Sequence, residues 1–311
     1  MIDVDTFLLI LYVMIDDFCK AHLPAEPARP GVAAALSRSE LLTLALLAQW
    51  GHFASERAFY RYATHHLRPA FPTLPHRAQF NRQVRAAYPA LVALGAYLTA
   101  QLQPQPAPYE PLDSAALPTR RAKRRGRGWL AGLADIGWSN RLGWYEGFHL
   151  LVAVTPQGVI TGWGCGPASS SDQPLAESFF ALRQQPVPGW QTVGRQPTRG
   201  QFYLTDKGFE SRARHQQWAA QYQAYVVGPP QQRARWAWPG ALRRWVAARR
   251  QIVETVFDKL QHTFRLGLDR PHEFSGVQAR LAAQMALHNF CIWLNRQQSR
   301  PGLAFADLIA W

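Results

Sequence analysis

Cysteine is scarce in this chain. Cys19, Cys165 and Cys291 are the only three in 311 residues. An odd number at wide spacing excludes a disulfide framework and a paired-cysteine zinc motif. His288 and Cys291 make an HxxC pair with no second pair nearby, so they read as helix packing. This usage fits a reducing cytoplasm. Long apolar runs are missing as well. FLLILYVM, near the start, is flanked by Asp3, Asp5, Asp16 and Asp17. It is too short to span a bilayer, and no basic segment precedes it, so it reads as a core helix rather than a signal peptide. Lysine is nearly absent. Only Lys20, Lys123, Lys207 and Lys259 occur, and the rest of the 34 basic residues are arginines.

What is present is positive charge on a folded-protein background. Hydrophobic residues make up 48% of the chain and aromatics 12%, which excludes a disordered chain. The net charge is +14 and the pI about 10.3. Arginine forms planar, bidentate contacts with phosphate, so the excess points to a polyanionic partner, most simply nucleic acid. The charge is unevenly placed. Residues 1–105 hold 9 basic and 7 acidic residues, while residues 106–311 hold the other 25 and 13. The second part therefore carries the electrostatic footprint.

Periodicity divides the chain in the same way. Residues 1–102 read as a helical N-terminal domain. Phe7, Ile10, Leu11, Met14, Ile15 and Phe18 keep the helix period, and Ser37 with Glu40 forms a capping box before LLTLALLAQW. Short helices carrying Arg57, Arg61, Arg82 and Arg85 suit either DNA binding or dimerisation. QPQPAPYEP (103–111) is a proline-rich linker. Beyond it the pattern becomes α/β. GFHLLVAVTP and GVITGWGCGP form a hairpin turning at 156–158. Helices are expected over 172–185, 213–223 and 246–264, with strands at 201–206 and 224–228.

Three carboxylates stand out in this second part: Asp113 just after the linker, Asp206 at a strand end in FYLTDKGFES, and Glu254 inside a helix. Each alone has an ordinary reading as a turn, a strand terminator or an i,i+4 partner of Arg250. Together they suit hard divalent cations, which take carboxylate oxygens and in pairs activate an in-line displacement at phosphorus. The run TRRAKRRGRG (119–128) supplies Arg120, Arg121, Lys123, Arg124, Arg125 and Arg127 for phosphate. RARWAWPGALRRW (233–245) adds Arg243 and Arg244, with tryptophans that could stack on a base or pack at a domain edge. Asp172 reads as helix capping or support of the site. Asp135, Glu146 and Glu273 read as surface residues.

These residues resemble the bacterial insertion-sequence transposases of the DDE class. The resemblance is carried by LDSAALP (112–118), YEGFHLLVAVTPQGVITGW (145–163), PASSSDQP (167–174), YLTDKGFES (203–211), RRQIVETVFDKLQHTF (249–264) and the closing helix LAAQMALHNFCIWLNR (281–296). It implies an RNase H-like mixed sheet flanked by helices, preceded by the smaller all-α domain. The catalytic domain would run over 112–296 and a tail over 297–311. It also implies that Asp113, Asp206 and Glu254 are the DDE triad, binding two Mg²⁺ or Mn²⁺ ions. Arg250 would touch DNA phosphate or orient the glutamate, and Lys207 and Lys259 would contact phosphate. The chain departs from the family at Ala247, Gln261 and His149. The implied activity is hydrolysis at the element ends and 3′-hydroxyl strand transfer into target DNA. The implied partners are double-stranded DNA, with its terminal inverted repeats, and a second copy of the chain in a synaptic complex. The expected location is the cytoplasm, at the nucleoid and away from membranes. A nuclease lacking strand transfer and a non-catalytic DNA-binding protein are the alternatives.

Overall fold

The computed structural model describes residues 1–25, 34–121, 130, 132–184, 200–230, 237–268 and 270–311. The chain divides into two compact units. The first holds Met1–Leu102 and Leu260–Trp311, and most of the remainder forms the second.

The first unit is helical. It contains α1 (Val4–His22), α2 (Arg38–Leu47), α3 (Glu56–His66), α4 (Arg77–Ala86), α5 (Tyr88–Leu102) and α9 (Phe274–Gln297). Local capping chemistry sets the starts of these helices. Asp3 accepts from Thr6 N–H, and Ser37 with Glu40 completes a reciprocal capping box. The apolar stripe of α1 is buried through Phe7, Leu11, Ile15 and Phe18, and Phe7 meets Phe290 of α9 edge-to-face at 5.5 Å. α9 also binds α5 through polar groups. Asn289 donates to Thr99 Oγ1, and Arg296 donates to the otherwise open carbonyl of Leu102. Leu260–Trp311, from the far end of the sequence, also packs in this helical unit. β1 (Ile2–Asp3) pairs in parallel with β8 (Ile309–Ala310), close to the end of the chain.

The second unit is built on a mixed sheet. Its strands are β2 (Glu110–Arg121), β3 (Asp135–Ser139), β4 (Gly143–Val154), β5 (Ile160–Pro167), β6 (Gln201–Leu204) and β7 (Ala224–Val227). β2 pairs antiparallel with β4 and parallel with β6, β6 pairs parallel with β7, and β4 also pairs with β3 and β5. The expected hairpin is present as β4–β5, with Gly158 at φ 81° in its turn. Strand β3 had no sequence signal. Glu146, read as a surface residue, is half-buried in β4 with its Oε2 enclosed. Backbones come unusually close at Gly147, where a Cβ would meet the Leu117 carbonyl oxygen and Thr119 N. That approach sits at the bulge between Pro118 and Arg120 and requires glycine.

Helices α6 (Asp172–Arg183) and α7 (Arg212–Tyr222) cover one face of the sheet. Their core joins Leu112, Leu151 and Tyr203 of the strands to Phe179, Phe180 and Trp218. One ion pair lies inside this core. Arg183 binds Glu110 through two nitrogens and donates to Tyr203 Oη at 2.9 Å, and its guanidinium lies over the Phe179 ring. The two side chains are only 7% and 4% exposed. A buried ion pair is costly to break because one charge is left without a partner. Arg183→Met is therefore expected to cost about 3–5 kcal/mol in urea unfolding. Replacing both Glu110 and Arg183 by Met should recover most of that loss.

Candidate functional site

The site grows where β6 leaves the sheet beside its parallel neighbour β2. β2 and β6 pair Glu110 with Tyr203 and Pro111 with Leu204. The same register carried two residues further sets Asp113 beside Asp206. Alternation along β2 separates the functions of adjacent residues. Leu112 and Ser114 face the α6–α7 layer, and Asp113 points to the opposite face. Asp113 Oδ1 accepts from the N–H of Ser114 at 2.9 Å.

Asp206 explains the DKGF stretch. Its Oδ1 accepts from Gly208 N at 2.8 Å and caps the short 3-10 turn Lys207–Phe209. Phe209 is fully buried and pins that turn to the core. The strand thus ends in an acid held rigidly by its own turn. Capping occupies one carboxylate oxygen, and no hydrogen bond to the second forms among the described residues.

Helix α8 (Gly240–His262) supplies the remaining charges. Arg250 Nη2 donates to Asp113 Oδ2 at 2.9 Å, with side chains 14% and 20% exposed. The sequence reading gave Arg250 to DNA phosphate or to Glu254, and the structure gives it to Asp113. Glu254 lies one helical turn on, exposed on the same helical face. Asp113, Asp206 and Glu254 do not close into a three-ligand cluster. Among the described residues, no group of three His, Cys, Asp or Glu is arranged to hold a metal ion.

The electrostatics centre on Asp113. Burial pushes its carboxyl up to about 6, overcoming the stabilising Arg250 cation and the Ser114 N–H. Asp206 and Asp172 push in the same upward direction. Asp113 thus sits among like charges, with Arg250 as its bound counter-charge.

The expected phosphate contacts fall into several groups. Lys207, Arg243 and Arg244 are exposed, while Arg120 and Lys259 are half-buried. Arg249, which the sequence reading passed over, is exposed, with its guanidinium 5.7 Å from the Trp245 ring. Trp245 packs edge-on to Tyr109 yet stays 45% exposed. Lys123, Arg124, Arg125 and Arg127 lie outside the described residues, as do Arg233, Arg235, Trp236 and the side chain of Arg121. The site also includes Ser114, His149 and Asp172, joined by hydrogen bonds. Only Asp172 gave a sequence signal, as a carboxylate after a run of serines at a helix start.

Residues 111–290 match the family model of the transposase DDE domain. The chain belongs to that family. No curated protein and no solved structure matches it. The mixed sheet with flanking helices agrees with the RNase H-like form of a DDE domain. Transposition is a DNA recombination reaction, so membership places this DDE transposase among DNA-acting proteins. No helix among the described residues is long and apolar enough to cross a membrane.

The sign of the Asp113 shift yields a test on the metal-free protein. An unfolded aspartate releases its proton near 3.8, and folded Asp113 keeps its proton to about 6. Between those values the folded chain binds more protons, so its stability falls as pH rises. The loss attributable to Asp113 is roughly 2 kcal/mol. Urea midpoints measured from pH 4 to 7 should show this decline in wild type and a flatter profile in Asp113→Asn. Equal slopes would mean that Asp113 titrates normally.

Proposed function

We propose that this DDE transposase cuts a phosphodiester at the ends of an insertion sequence and joins the freed 3′-hydroxyl to target DNA. The supporting observation is that Asp113, within β2, and Asp206, just past the end of β6, lie near enough to interact, with Arg250 and Glu254 one turn apart on α8. The donor set suits a hard cation, because the acids offer oxygen only and their mutual crowding is relieved by positive charge. Asp113, Asp206 and Glu254 would hold two Mg²⁺ or Mn²⁺ ions. Bound there, such ions would activate the attacking oxygen and stabilise the leaving one.

The chain's own residues do the rest by position and charge. Asp206 is presented by a capped turn that leaves it little freedom. Arg250 balances Asp113 until other cations enter. Lys207, Arg243, Arg244 and Arg249 stand exposed to meet phosphates. In the cutting step water forms a bond to phosphorus as the bond to the departing 3′-oxygen breaks, and that oxygen takes up a proton. In the joining step the new 3′-hydroxyl attacks a target phosphodiester and displaces its 3′-oxygen. No covalent link to the protein is required. Joining two ends calls for two copies of the chain.

The Asp113–Arg250 pair also favours a second reading, a DNA-binding protein that does not cut. One experiment separates the two. Nicking and strand transfer are measured with Mg²⁺ or Mn²⁺ on DNA carrying the element's own ends. Wild type should cut and join, and Asp206→Asn should lose activity by about 10²–10³-fold while binding DNA normally. End binding by wild type without cutting under either metal would support the second reading.

A further inference from the structure

We infer that the first turn of α6 is a latch that sets the separation of Asp113 and Asp206, with Asp172 as its positioning residue. The inference rests on the reading of those two acids given above. Asp172 sits at the start of α6, yet it does not serve its own helix. The N-cap Ser171 makes no side-chain cap bond, and Asp172 Oδ1 instead accepts the hydroxyl proton of Ser114 at 2.6 Å. Ser114 is the immediate neighbour of Asp113 and donates its N–H to that carboxylate.

The other oxygen of Asp172 lies against Gly208, in the turn that Asp206 caps. A Cβ built on Gly208 would meet Asp172 Oδ2 closer than any real Cβ contact, and would meet Asp206 Oδ1 at 3.0 Å. A side chain there would have to push the Asp172 carboxylate aside, so the open Cα of Gly208 lets two carboxylates approach the same turn. Gln173, next in the helix, donates from Nε2 to the Glu210 carbonyl at 2.9 Å. One helical turn therefore grips β2 beside Asp113 and the 207–210 turn beside Asp206.

His149 completes the grip. Its Nδ1 lies 3.0 Å from the Ser170 carbonyl, which can only accept, so Nδ1 carries a proton. Its Nε2 lies 3.2 Å from Ser114 Oγ, on the hydroxyl that Asp172 engages. Asp172 takes the one hydroxyl proton of Ser114, so the Ser114 rotamer is set from α6, with the His149 ring packed beside it from β4.

A latch predicts effects different from those of a helix cap or a metal ligand. The variants are Asp172→Asn, Asp172→Ala and Ser114→Ala. Two readouts are taken on the full chain. One is Mn²⁺ affinity by calorimetry. The other is the set of ¹³C carboxyl resonances of Asp113 and Asp206 in metal-free protein, assigned with Asp113→Asn and Asp206→Asn. Asp172→Asn keeps an oxygen that can accept from Ser114. Spectra are recorded near pH 8, above the Asp113 value of about 6, so that its carboxyl is ionised with or without the Asp172 charge. Both resonances should then stay in place in Asp172→Asn and Mn²⁺ affinity should hold within about threefold, whereas Asp172→Ala and Ser114→Ala should move both resonances and weaken Mn²⁺ binding by about 10–100-fold. Equal losses in Asn and Ala variants would overturn the latch in favour of a charge role for Asp172. Unmoved resonances in Asp172→Ala and Ser114→Ala, with only a lower melting temperature, would overturn it in favour of a cap. If wild type binds no Mn²⁺ but the resonances move as expected, the metal reading fails and the latch stands.

Discussion

A buried carboxylate on β2 with a second one just past the end of neighbouring β6 is the constraint on which this unit depends. Parallel pairing of β2 with β6 is what brings Asp113 and Asp206 together, and the same pairing forces their carboxylates to repel. Burial makes the conflict worse, because a desolvated carboxylate loses the water that would screen it. Arg250 answers part of it with a bond to Asp113 Oδ2, and backbone N–H groups of Ser114 and Gly208 answer more. An enclosure holding several acids and one neutralising arginine has a standing appetite for positive charge.

The scaffold around that conflict is stiff for a reason visible in α6. Its first residue holds Ser114 and its last holds Glu110, so the helix grips β2 at both ends. Eleven residues of helix span about 16 Å, and the four residues of strand between the two grips span about 13 Å. The lengths match closely enough for both bonds to form at once, with α6 running opposite to β2. An uncharged core could bury equivalent area, but it would allow β2 to slide. A buried Arg183–Glu110 pair with a single geometry resists sliding, at a net cost in desolvation.

Much of this was legible in the sequence because it is local. The Ser37–Glu40 capping box and the hairpin turning near Gly158 are specified within a few residues and appear as read, and Asp206 does end its strand at the DKGF turn, while α8 begins at Gly240 rather than at 246. What escaped was the choice of partner across the chain. Arg250 has Glu254 four residues away and takes Asp113 instead, since a buried acid gains more from a cation than an exposed one does. Asp172 carries the composition of a cap and is drawn off by Ser114. Strand β3 has almost no apolar alternation and forms because β4 offers it an edge. α9 reads as a plain hydrophobic helix, and nothing in that pattern states that its partner would be α5. Glu254 shows the same limit, since the helix face was predictable and its distance from the other acids was not.

The preference for arginine now has a structural meaning beyond solubility. A lysine at position 250 would offer a compact, strongly hydrated point charge, expensive to strip of water beside Asp113. A guanidinium is weakly hydrated and planar, so it can lie against the carboxylate while only 14% exposed. It also keeps its charge whatever the local field, whereas a buried lysine would relieve the crowding by losing its proton. The exposed arginines at 243, 244 and 249 sit earlier on the same helix, where water is plentiful and resistance to burial is not needed, though the planar guanidinium would suit bidentate contact with phosphate. One helix thus carries a single residue type for two tasks. Towards its start arginine is exposed to water, and at 250 it neutralises the buried Asp113.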